Sequence, residues 1–453
     1  MSAGMHSTRQ TLNLLRKYES RNVTFLDPDG TWPIVWERAS GVHVWDAEGR
    51  RYLDLTAAFG VAAAGHANPR VVGAGQKQMS RLLHAMGDVH PHALKARLAQ
   101  ELSRITFERW TARESKVRRP EPKARPSETH GKTIFCNSGF EAVEAALKTA
   151  TLATGRPGII AFKDAYHGLG YGTLNATHRE HFRGPFVHQL GQFGTFLPFP
   201  KKERDLRLLA RELELVFKRQ KSRIGAILVE PIQVRGGINV PPPGFLPLLR
   251  RICNRFGVLL ILDEIYTGFG RTGAWFACEH SNTVPDLICL GKAMTGGFPL
   301  SACVGRAGVM DAAWPVSQGE AIHTSTFLGN PVGCAMALAQ INEINRQKLP
   351  MRARTVGAGI LKFLHSELSA PNLQINIRGT GLLIGIELLL PDGKPATSLA
   401  LASIKQMLHE GYVLLPEGEH ANVISLTPPL TIPETQLRKT ARALARVLRD
   451  LVR

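Results

Sequence analysis

Short continuous apolar runs recur through the middle of the chain, and each stops at a glycine or a polar residue. Runs of this kind, alternating with helical segments, are typical of strands buried on both faces of a parallel sheet. We therefore predict an α/β fold with a mostly parallel sheet flanked by helices, and a helical segment after each run. The runs are KTIFCNSG, GIIAF, IGAILVE, GVLLILDE and DLICL.

The two ends of the chain have a different pattern. GVHVWDAEGRRYLDL alternates around a turn and indicates a small antiparallel unit, while LQINIRGTGLLIGIELLL and NVISLTPPLTI indicate strands between helical segments. We predict a large domain at 61–335. A smaller α+β domain would combine an N-terminal part, 1–60, with a C-terminal part, 336–453.

The chain is basic, with 56 Lys and Arg against 37 Asp and Glu among 453 residues, a net charge of +19. Such a balance raises the question of nucleic-acid binding. The excess is concentrated at 111–132, predicted as a solvated surface loop, and at 437–453, predicted as an amphipathic helix with arginines on its solvated face. Aromatic residues are not interleaved with these charges, which disfavours nucleic acid as a partner.

Six cysteines are widely spaced and form no C-x-x-C pair. This spacing predicts buried, reduced thiols and no metal site. The N-terminus lacks the apolar core of a secretory signal, and no apolar stretch is long enough to span a bilayer. We predict a cytoplasmic protein. A transit peptide stays an alternative, because the chain carries no acidic residue before Glu19.

A single lysine, Lys292, follows the run DLICL directly and enters a glycine-rich turn with little nearby that could pair with it. A buried ammonium is costly unless it is paired or gives up its charge to do chemistry. Asp263 ends another run apolar enough to be buried, so its carboxylate needs a cationic partner. In parallel sheets the chemistry collects at the carboxyl ends of strands, where both residues stand.

Other strand ends offer binding groups. Ser138 and Gly139 open a helix, which suits either a phosphate or an ordinary helix cap. Tyr166 and His167 lie on a turn, where an aromatic ring could stack on a flat ligand. Alternatively, both are half-buried residues at the rim of a pocket. A binding site for pyridoxal 5'-phosphate (PLP) needs a phosphate-binding group, a carboxylate for the ring nitrogen, an aromatic ring to stack on the cofactor and an amine for its aldehyde. Lys292 would then be held as an imine and, once released, would act as a base.

At this point the sequence resembles the class III PLP-dependent aminotransferases of fold type I, the family of ornithine, acetylornithine and omega-amino acid aminotransferases. The resemblance covers nearly the whole chain and implies transfer of an amino group from an amino acid or omega-amine to a 2-oxo acid. It also implies a homodimer with shared active sites. It rests on the order and spacing of CNSGFEAVEAALK, AYHG, VEPIQ, LDEIYTGFGRTG, LGKAMTGGFPLSA and HTSTFLGNPVGCAMAL.

The resemblance implies roles for individual residues. Lys292 would be the Schiff-base lysine, Asp263 would hold the pyridine nitrogen, and Thr326 would reach the phosphate of the neighbouring subunit. Glu141 and Glu144 would either lie on the helix surface or stand behind the residues that contact the cofactor. The expected cofactor-binding residues are Ser138, Gly139, Phe140, Tyr166, Glu230, Asp263, Ile265, Tyr266, Lys292 and Thr326.

Four departures from the family pattern involve five positions. Val234 and Arg235 stand where ornithine-type members have Gly-Glu, Ser425 replaces an arginine that clamps a substrate carboxylate, Leu169 replaces another arginine, and Tyr266 replaces a glutamine. Our hypothesis is that Arg235 takes over the lost clamp; the alternative is that Arg235 points to solvent. The expected substrate-binding residues are Phe59, Arg235, Ser325 and Ser425.

Functions of other classes stay open at this level. The same scaffold supports amino-acid racemases, epimerases and aminomutases, which also use the lysine to move a proton. A basic binding protein on a retired enzyme fold is a non-enzymatic alternative, which the intact Lys292 and Asp263 disfavour. A nucleotide-phosphate enzyme is disfavoured because the chain has no G-x-x-x-x-G-K-[ST] motif.

Overall fold

The structure is a computed structural model that describes residues 7–27, 32–117, 129–220 and 222–452. The strands of this part of the chain are β1 (Trp36–Ser40), β2 (His43–Asp46), β3 (Arg51–Asp54), β4 (Gly131–Cys136), β5 (Gly158–Phe162), β6 (Gly194–Leu197), β7 (Ile224–Val229), β8 (Leu259–Asp263), β9 (Leu287–Leu290), β10 (Ser301–Arg306), β11 (Gln374–Thr380), β12 (Leu383–Leu389), β13 (Tyr412–Val413), β14 (Leu415–Glu417) and β15 (Val423–Leu426).

Helices surround these strands and join them. They are α1 (Thr8–Tyr18), α2 (Ala57–Gly60), α3 (Pro69–Met79), α4 (Ala93–Ser103), α5 (Arg109–Val117), α6 (Gly139–Thr154), α7 (Tyr171–Leu174), α8 (Glu180–Arg183), α9 (Asp205–Gln220), α10 (Phe245–Phe256), α11 (Ala307–Ala313), α12 (Pro331–Arg346), α13 (Leu349–Glu367), α14 (Thr397–His409) and α15 (Glu434–Val452).

A seven-stranded sheet in the order β4-β10-β9-β8-β7-β5-β6 forms the centre of the fold. Only β10 runs antiparallel to its neighbours. Side chains alternate between two cores: Leu260 and Leu262 of β8 face one, and Ile261 faces the other. Both faces are therefore buried, which explains the continuous apolar runs in the sequence. The predicted α/β fold with a mostly parallel sheet is confirmed.

Two smaller sheets are built from the ends of the chain. The N-terminal strands β1, β2 and β3 form one sheet with β13, which pairs in parallel with β3 although about 360 residues separate them. β11, β12, β15 and β14 form the other. The strands predicted in GVHVWDAEGRRYLDL, LQINIRGTGLLIGIELLL and NVISLTPPLTI are all present. The exact division at residues 60 and 335 stays a prediction.

The connections after three strands differ from the prediction. We expected a polar or glycine stop and then a helical segment after each apolar run, but among these runs only the one that forms β4 is followed within a few residues by a long helix, α6. After β5, β7 and β8 the chain forms loops and short turns before any longer helix begins. These loops contain glycines and prolines, which interrupt helices, and they carry the polar residues at the sheet edge.

The surface loop predicted for 111–132 is wrong at both ends, because α5 continues to Val117 and β4 starts at Gly131; residues 118–128 lie outside the described part of the chain. The helix is stabilised by contacts that periodicity does not reveal. Trp110 is buried and donates to the Glu279 carboxylate (3.0 Å), and Arg109 forms an ion pair with the same carboxylate.

The predictions on the burial of the cysteines and on the C-terminal helix are confirmed. All six cysteines are buried and free. The predicted basic C-terminal helix is present as α15, with Leu437, Leu444 and Leu448 buried and acidic or basic residues between them. Across the ranges that the structure describes, no helix combines the length and the apolar character that a bilayer crossing requires.

Candidate active site

Six strands of the central sheet, all except β10, run in one direction and end at the same edge. The residues that follow five of them, β4, β5, β7, β8 and β9, converge there. A cavity of about 660 Å³ opens at this edge. Its wall includes Gly139 and Phe140 after β4, Tyr166 and His167 after β5, Glu230 after β7, Asp263, Ile265 and Tyr266 at and after β8, and Lys292 after β9.

Lys292 begins a short helical turn, Lys292–Met294, one residue after the end of β9, and it has a left-handed backbone conformation (φ 43°). Its Nζ makes no hydrogen bond or ion pair within the described residues and lies 5.0 Å from the centre of the Tyr266 ring. Burial lowers the pKa of its ammonium, against the opposing charge of Asp263. A lowered pKa increases the fraction of neutral amine, which is the nucleophilic and basic form.

Asp263 is buried at the end of β8, as predicted, and its partner is a histidine. His167 Nδ1 lies 2.8 Å from Asp263 Oδ2, while the Ile265 amide donates to Oδ1 at 3.1 Å. His167 is itself fully buried, and its Nε2 has no hydrogen-bond partner in the described structure. The two contacts fix the carboxylate in one orientation on the cavity wall.

The N-terminus of α6 carries a buried polar atom without a partner. Ser138 Oγ is buried and makes no hydrogen bond to any described residue, whereas the Ser138 carbonyl accepts from Ser301 (2.5 Å). Ile265 packs so closely on Gly139 that an added Cβ would lie 3.0 Å from its Cδ1. A hydroxyl at the start of a 16-residue helix, next to free amide groups, suits an anion.

Tyr166 and Glu230 form a second part of the wall. The Tyr166 amide donates to Glu230 Oε2 (3.0 Å) and the Val234 amide to Oε1 (3.3 Å). Burial raises the pKa of Glu230 to about 7. Glu230 therefore positions the Tyr166 turn and the Val234 loop through their backbones.

A strained turn borders the cavity opposite the sheet. Ala57, Ala58, Phe59 and Gly60 all have positive φ angles, and Ala58 and Phe59 line the cavity. Left-handed conformations are unfavourable for residues with a Cβ, so the surrounding contacts must hold this turn. Thr56 supplies one of them, because its carbonyl accepts from the Gly60 amide (2.8 Å).

Tyr266 contacts the same turn through its hydroxyl and its ring. Its hydroxyl lies 3.3 Å from Thr427 Oγ1, which in turn donates to the Thr56 carbonyl (3.2 Å). Its ring touches Gly60, where an added Cβ would lie 2.8 Å from Tyr266 Cε1. The ring, not the hydroxyl, therefore faces Lys292.

This contact makes Gly60 sensitive to substitution. Gly60→Ala should lower the free energy of unfolding by about 1–3 kcal/mol, because the new methyl group must displace the Tyr266 ring. Gly49→Ala is the matched control, since Gly49 has nearly the same φ (82° against 80°) and nothing within 4 Å of its added Cβ. Urea denaturation of both variants measures the difference, and equal losses would contradict the clash.

Arg235 lines the cavity on its more exposed side. Its Nη1 lies 3.2 Å from Oε2 of the buried Glu417, and its guanidinium lies 5.8 Å from the Tyr166 ring centre. The Gly418 amide donates to the Arg235 carbonyl (3.2 Å), which links the two segments. Arg235 therefore does not simply point to solvent, the alternative considered above, and it already has an anionic partner.

Some expected site residues lie elsewhere. Ser325 and Thr326 are exposed on a turn next to the site, where Asn137 donates weakly to Ser325 Oγ (3.5 Å). Ser425 is buried in β15, which pairs with β12 and β14, and it is not among the residues that line the cavity. Glu141 and Glu144 accept backbone N–H groups of neighbouring segments and stay outside the cavity.

Four residues near the cavity were not singled out from the sequence: Arg179, Phe182, Glu417 and Thr427. Phe182 lines the wall and packs edge-on against Tyr166 at 5.4 Å. Glu417 and Thr427 come from the C-terminal sheet, more than 100 residues from any motif of the central sheet. No spacing in the sequence signals these contacts; only the tertiary fold creates them.

The family model described as "Aminotransferase class-III" matches residues 26–448. The chain is a class III aminotransferase. This aminotransferase is 35% identical to an acetylornithine aminotransferase of Methanosarcina mazei, over 90% of each chain. It is 36% identical to the 5-aminovalerate aminotransferase of Pseudomonas aeruginosa, over 92% of this chain and 94% of that one. These relatives give no support to the racemase, aminomutase or binding-protein alternatives.

Solved structures agree with this assignment. An amine transaminase from an uncultivated Pseudomonas species, in its PLP-bound form, superposes with a TM-score of 0.81 at 26% identity and covers 96% of this chain and 99% of that chain. Class III aminotransferases depend on PLP and use an amino donor and a 2-oxo acid acceptor.

The cavity of this aminotransferase fits PLP chemically. The unpaired Lys292 amine suits the aldehyde, the fixed carboxylate of Asp263 suits the ring nitrogen, and Ser138 Oγ, a buried hydroxyl without a partner, suits the phosphate. A retired site would have no reason to keep these costly buried groups together.

Proposed function

We propose that this aminotransferase takes the terminal amino group of an amine that also carries a carboxylate, and that Lys292 and Asp263 are its catalytic residues. The observation that carries the proposal is the partly buried Lys292, unpaired among the described residues, on the wall of the same cavity as the fixed Asp263 carboxylate. Bound PLP supplies an electron-accepting ring that makes the C–H next to the transferred nitrogen acidic.

Lys292 is proposed to move the proton at that carbon. Burial lowers the pKa of Lys292 and so increases the fraction of neutral amine, the form that can accept a proton. The Tyr266 ring lies over the ammonium and, being held by Thr427 and Gly60, restricts where Nζ can swing.

Asp263 is proposed to keep the ring nitrogen of the cofactor protonated. Its carboxylate cannot turn away, because His167 and the Ile265 amide hold both oxygens. Tyr166 and Ile265 would cover the two faces of the ring, and Ser138, Gly139 and the Phe140 amide would hold the phosphate. Glu230 would position this wall through the Tyr166 backbone.

The relatives and Arg235 support the proposed donor class. One relative is named for 5-aminovalerate, whose amine and carboxylate stand at opposite ends of the molecule. A donor of this shape would place its amine at Lys292 and its carboxylate toward Arg235, beside Phe59. The proposal is tested by a panel of amines and amino acids, with and without a terminal carboxylate, against pyruvate and 2-oxoglutarate. Turnover confined to α-amino acids would refute the donor class.

We also propose a homodimer with shared active sites, located in the cytoplasm. Met79, Leu83, Met86, Val89, Ile322 and Phe327 are exposed large apolar residues of two adjoining segments. The segments contact each other where Phe327 packs on His84 (5.4 Å between ring centres). An apolar patch of this kind on one chain favours a protein interface. Thr326 lies within it, as expected of a residue that would reach the neighbouring phosphate.

The patch predicts the effect of a new charge. Leu83→Asp should weaken self-association at least about tenfold, because a carboxylate would be buried without a partner, and activity should fall with the dimer. Leu208→Asp, at a comparably exposed leucine of α9 (56% against 62%), is the control and should leave association unchanged. Sedimentation velocity measures both variants. A Leu83→Asp variant that stays dimeric would place the interface elsewhere.

A further inference from the structure

The strained turn at 57–60 separates the active-site cavity from a second cavity. Ala58 and Phe59 line both cavities. The second cavity has a volume of about 250 Å³, and its lining residues, which include Trp36 of β1, are apolar except for Thr56. The turn is therefore a thin wall with open space on each side.

Packing alone does not hold this wall. Ala57 is fully buried, but Phe59 is 48% exposed and, like Ala58, borders open space on both sides. Both residues have left-handed backbones (φ 49° and 62°), which a side chain with a Cβ disfavours. Because few packed atoms oppose a return to a relaxed backbone, hydrogen bonds must keep the turn in place.

Three side chains supply these hydrogen bonds, and we call Asp54, Thr56 and His66 the 54–66 network. Thr56 Oγ1 accepts from the Ala58 amide (3.1 Å) and donates to Asp54 Oδ1 (2.6 Å). The Thr56 amide donates to the same oxygen (2.8 Å), while Asp54 Oδ2 lies 2.7 Å from His66 Nε2. Asp54 is fully buried, so its carboxylate depends on these donors.

The far end of the network is itself fixed. The His66 amide donates to the Gly41 carbonyl (2.8 Å), and the Gly41 amide donates back to the His66 carbonyl (3.0 Å). The His66 ring meets Trp36 edge-on, with 5.8 Å between ring centres. None of the three network residues is among the described residues that line the active-site cavity. Their influence on the cavity therefore passes through the turn.

We propose that the 54–66 network positions the turn at 57–60 as a wall that limits the length of the amino donor. Held by Thr56, the wall keeps the apolar second cavity closed to the chain of a bound substrate. The inference rests on the proposed function, since the donor chain would lie beside Phe59. It assigns a positioning role to Asp54, Thr56 and His66.

The surroundings determine the direction in which a released turn would move. On the active-site side, Gly60 already touches the Tyr266 ring, so the turn has no room to advance there. On the other side, the apolar cavity can take the half-exposed Phe59 ring, and burial of that ring is favourable. Loss of the network should therefore move the wall away from Lys292 and lengthen the active-site cavity.

The test compares two donors with the same end groups, 5-aminovalerate and 8-aminooctanoate, which differ by three methylene groups. Thr56→Val keeps the shape of the side chain but removes its hydroxyl. It should shift the ratio of kcat/KM values toward 8-aminooctanoate by about tenfold. Thr56→Ser retains the hydroxyl and should keep the wild-type ratio. Thr440→Val is the matched control, because Thr440 is equally buried and its hydroxyl donates to the Gln436 carbonyl (2.9 Å) in α15.

A second variant and a second readout complete the test. His66→Phe keeps a ring against Trp36 but has no donor for Asp54, and it should shift the ratio in the same direction by about threefold. Calorimetric titration of the PLP-loaded enzyme with valerate and octanoate measures the same length preference without turnover. Thr56→Val should gain about tenfold in octanoate affinity relative to valerate, whereas Thr440→Val should gain nothing.

The outcomes separate this inference from the proposed function. If Thr56→Val and His66→Phe lose stability in urea but keep the wild-type preference for length, the network is only structural and the inference is wrong. It is also wrong if the wild type already binds octanoate as tightly as Thr56→Val does. If the donor panel excludes terminal amines while the octanoate preference still depends on Thr56, the proposed donor class fails and the positioning role stands.

Discussion

Lys292→Ala should lower kcat for transamination by on the order of 10³–10⁴ or more, the largest loss that we expect from a single substitution in this enzyme. The reason is that Lys292 is the one amine on the described cavity wall, and burial lowers its pKa toward the range where it can accept a proton. The measurement is single-turnover kinetics with 5-aminovalerate and 2-oxoglutarate, which reports the chemical step separately from product release.

Two variants sharpen this result. Lys292→Arg keeps the positive charge but not a basic amine, so it should be about as inactive as Lys292→Ala. Lys202→Ala removes an exposed lysine and should leave kcat unchanged. Borohydride reduction of the loaded wild type, followed by peptide mass spectrometry, should tag Lys292. A tag on another lysine, or a Lys292→Arg variant with more than a tenth of the activity, would remove Lys292 from the catalytic role.

The fold was predictable where burial acts on both faces of a strand. β7, β8 and β9 are continuous apolar runs because no face of them meets solvent, and this signal is local. The connections were not predictable in the same way. The loop after β8 reads as a possible helix start, but Glu264 turns back to accept from the amides of Ala277 and Cys278 (2.8 Å each), which holds an irregular loop in place.

The residues of the candidate site also fall into two groups, those that the sequence indicated and those that only the tertiary fold brings together. Lys292 and Asp263 were found from the sequence because a charged residue at the end of an apolar run is costly and stands out. Arg179 and Glu417 carry no such mark, since arginines and glutamates are frequent in surface segments. Glu417 comes close to Arg235 because the C-terminal sheet packs against the loop after β7. The same contact explains why the hypothesis on Arg235 missed its glutamate partner.

Asp263→Asn should lower kcat by about 10²–10³-fold, the second largest effect that we expect. Asparagine has nearly the same shape and can still accept from the Ile265 amide, so the cavity should keep its geometry. It cannot carry the negative charge that would keep the ring nitrogen of the cofactor protonated. The loss should therefore fall on kcat more than on KM, and a pH titration of the visible absorbance of the loaded enzyme should report the changed electrostatics.

His167→Gln separates charge from orientation. This variant leaves the Asp263 charge intact and removes only one of the two contacts that fix it, at 2.8 Å. If Asp263 acts through its charge, His167→Gln should cost clearly less than Asp263→Asn, about tenfold, and should shift the absorbance titration only slightly. If both variants lose the same activity, the orientation of the carboxylate matters more than its charge. If Asp263→Asn retains wild-type kcat, the carboxylate only caps the end of β8, and the ring nitrogen must be held by another group.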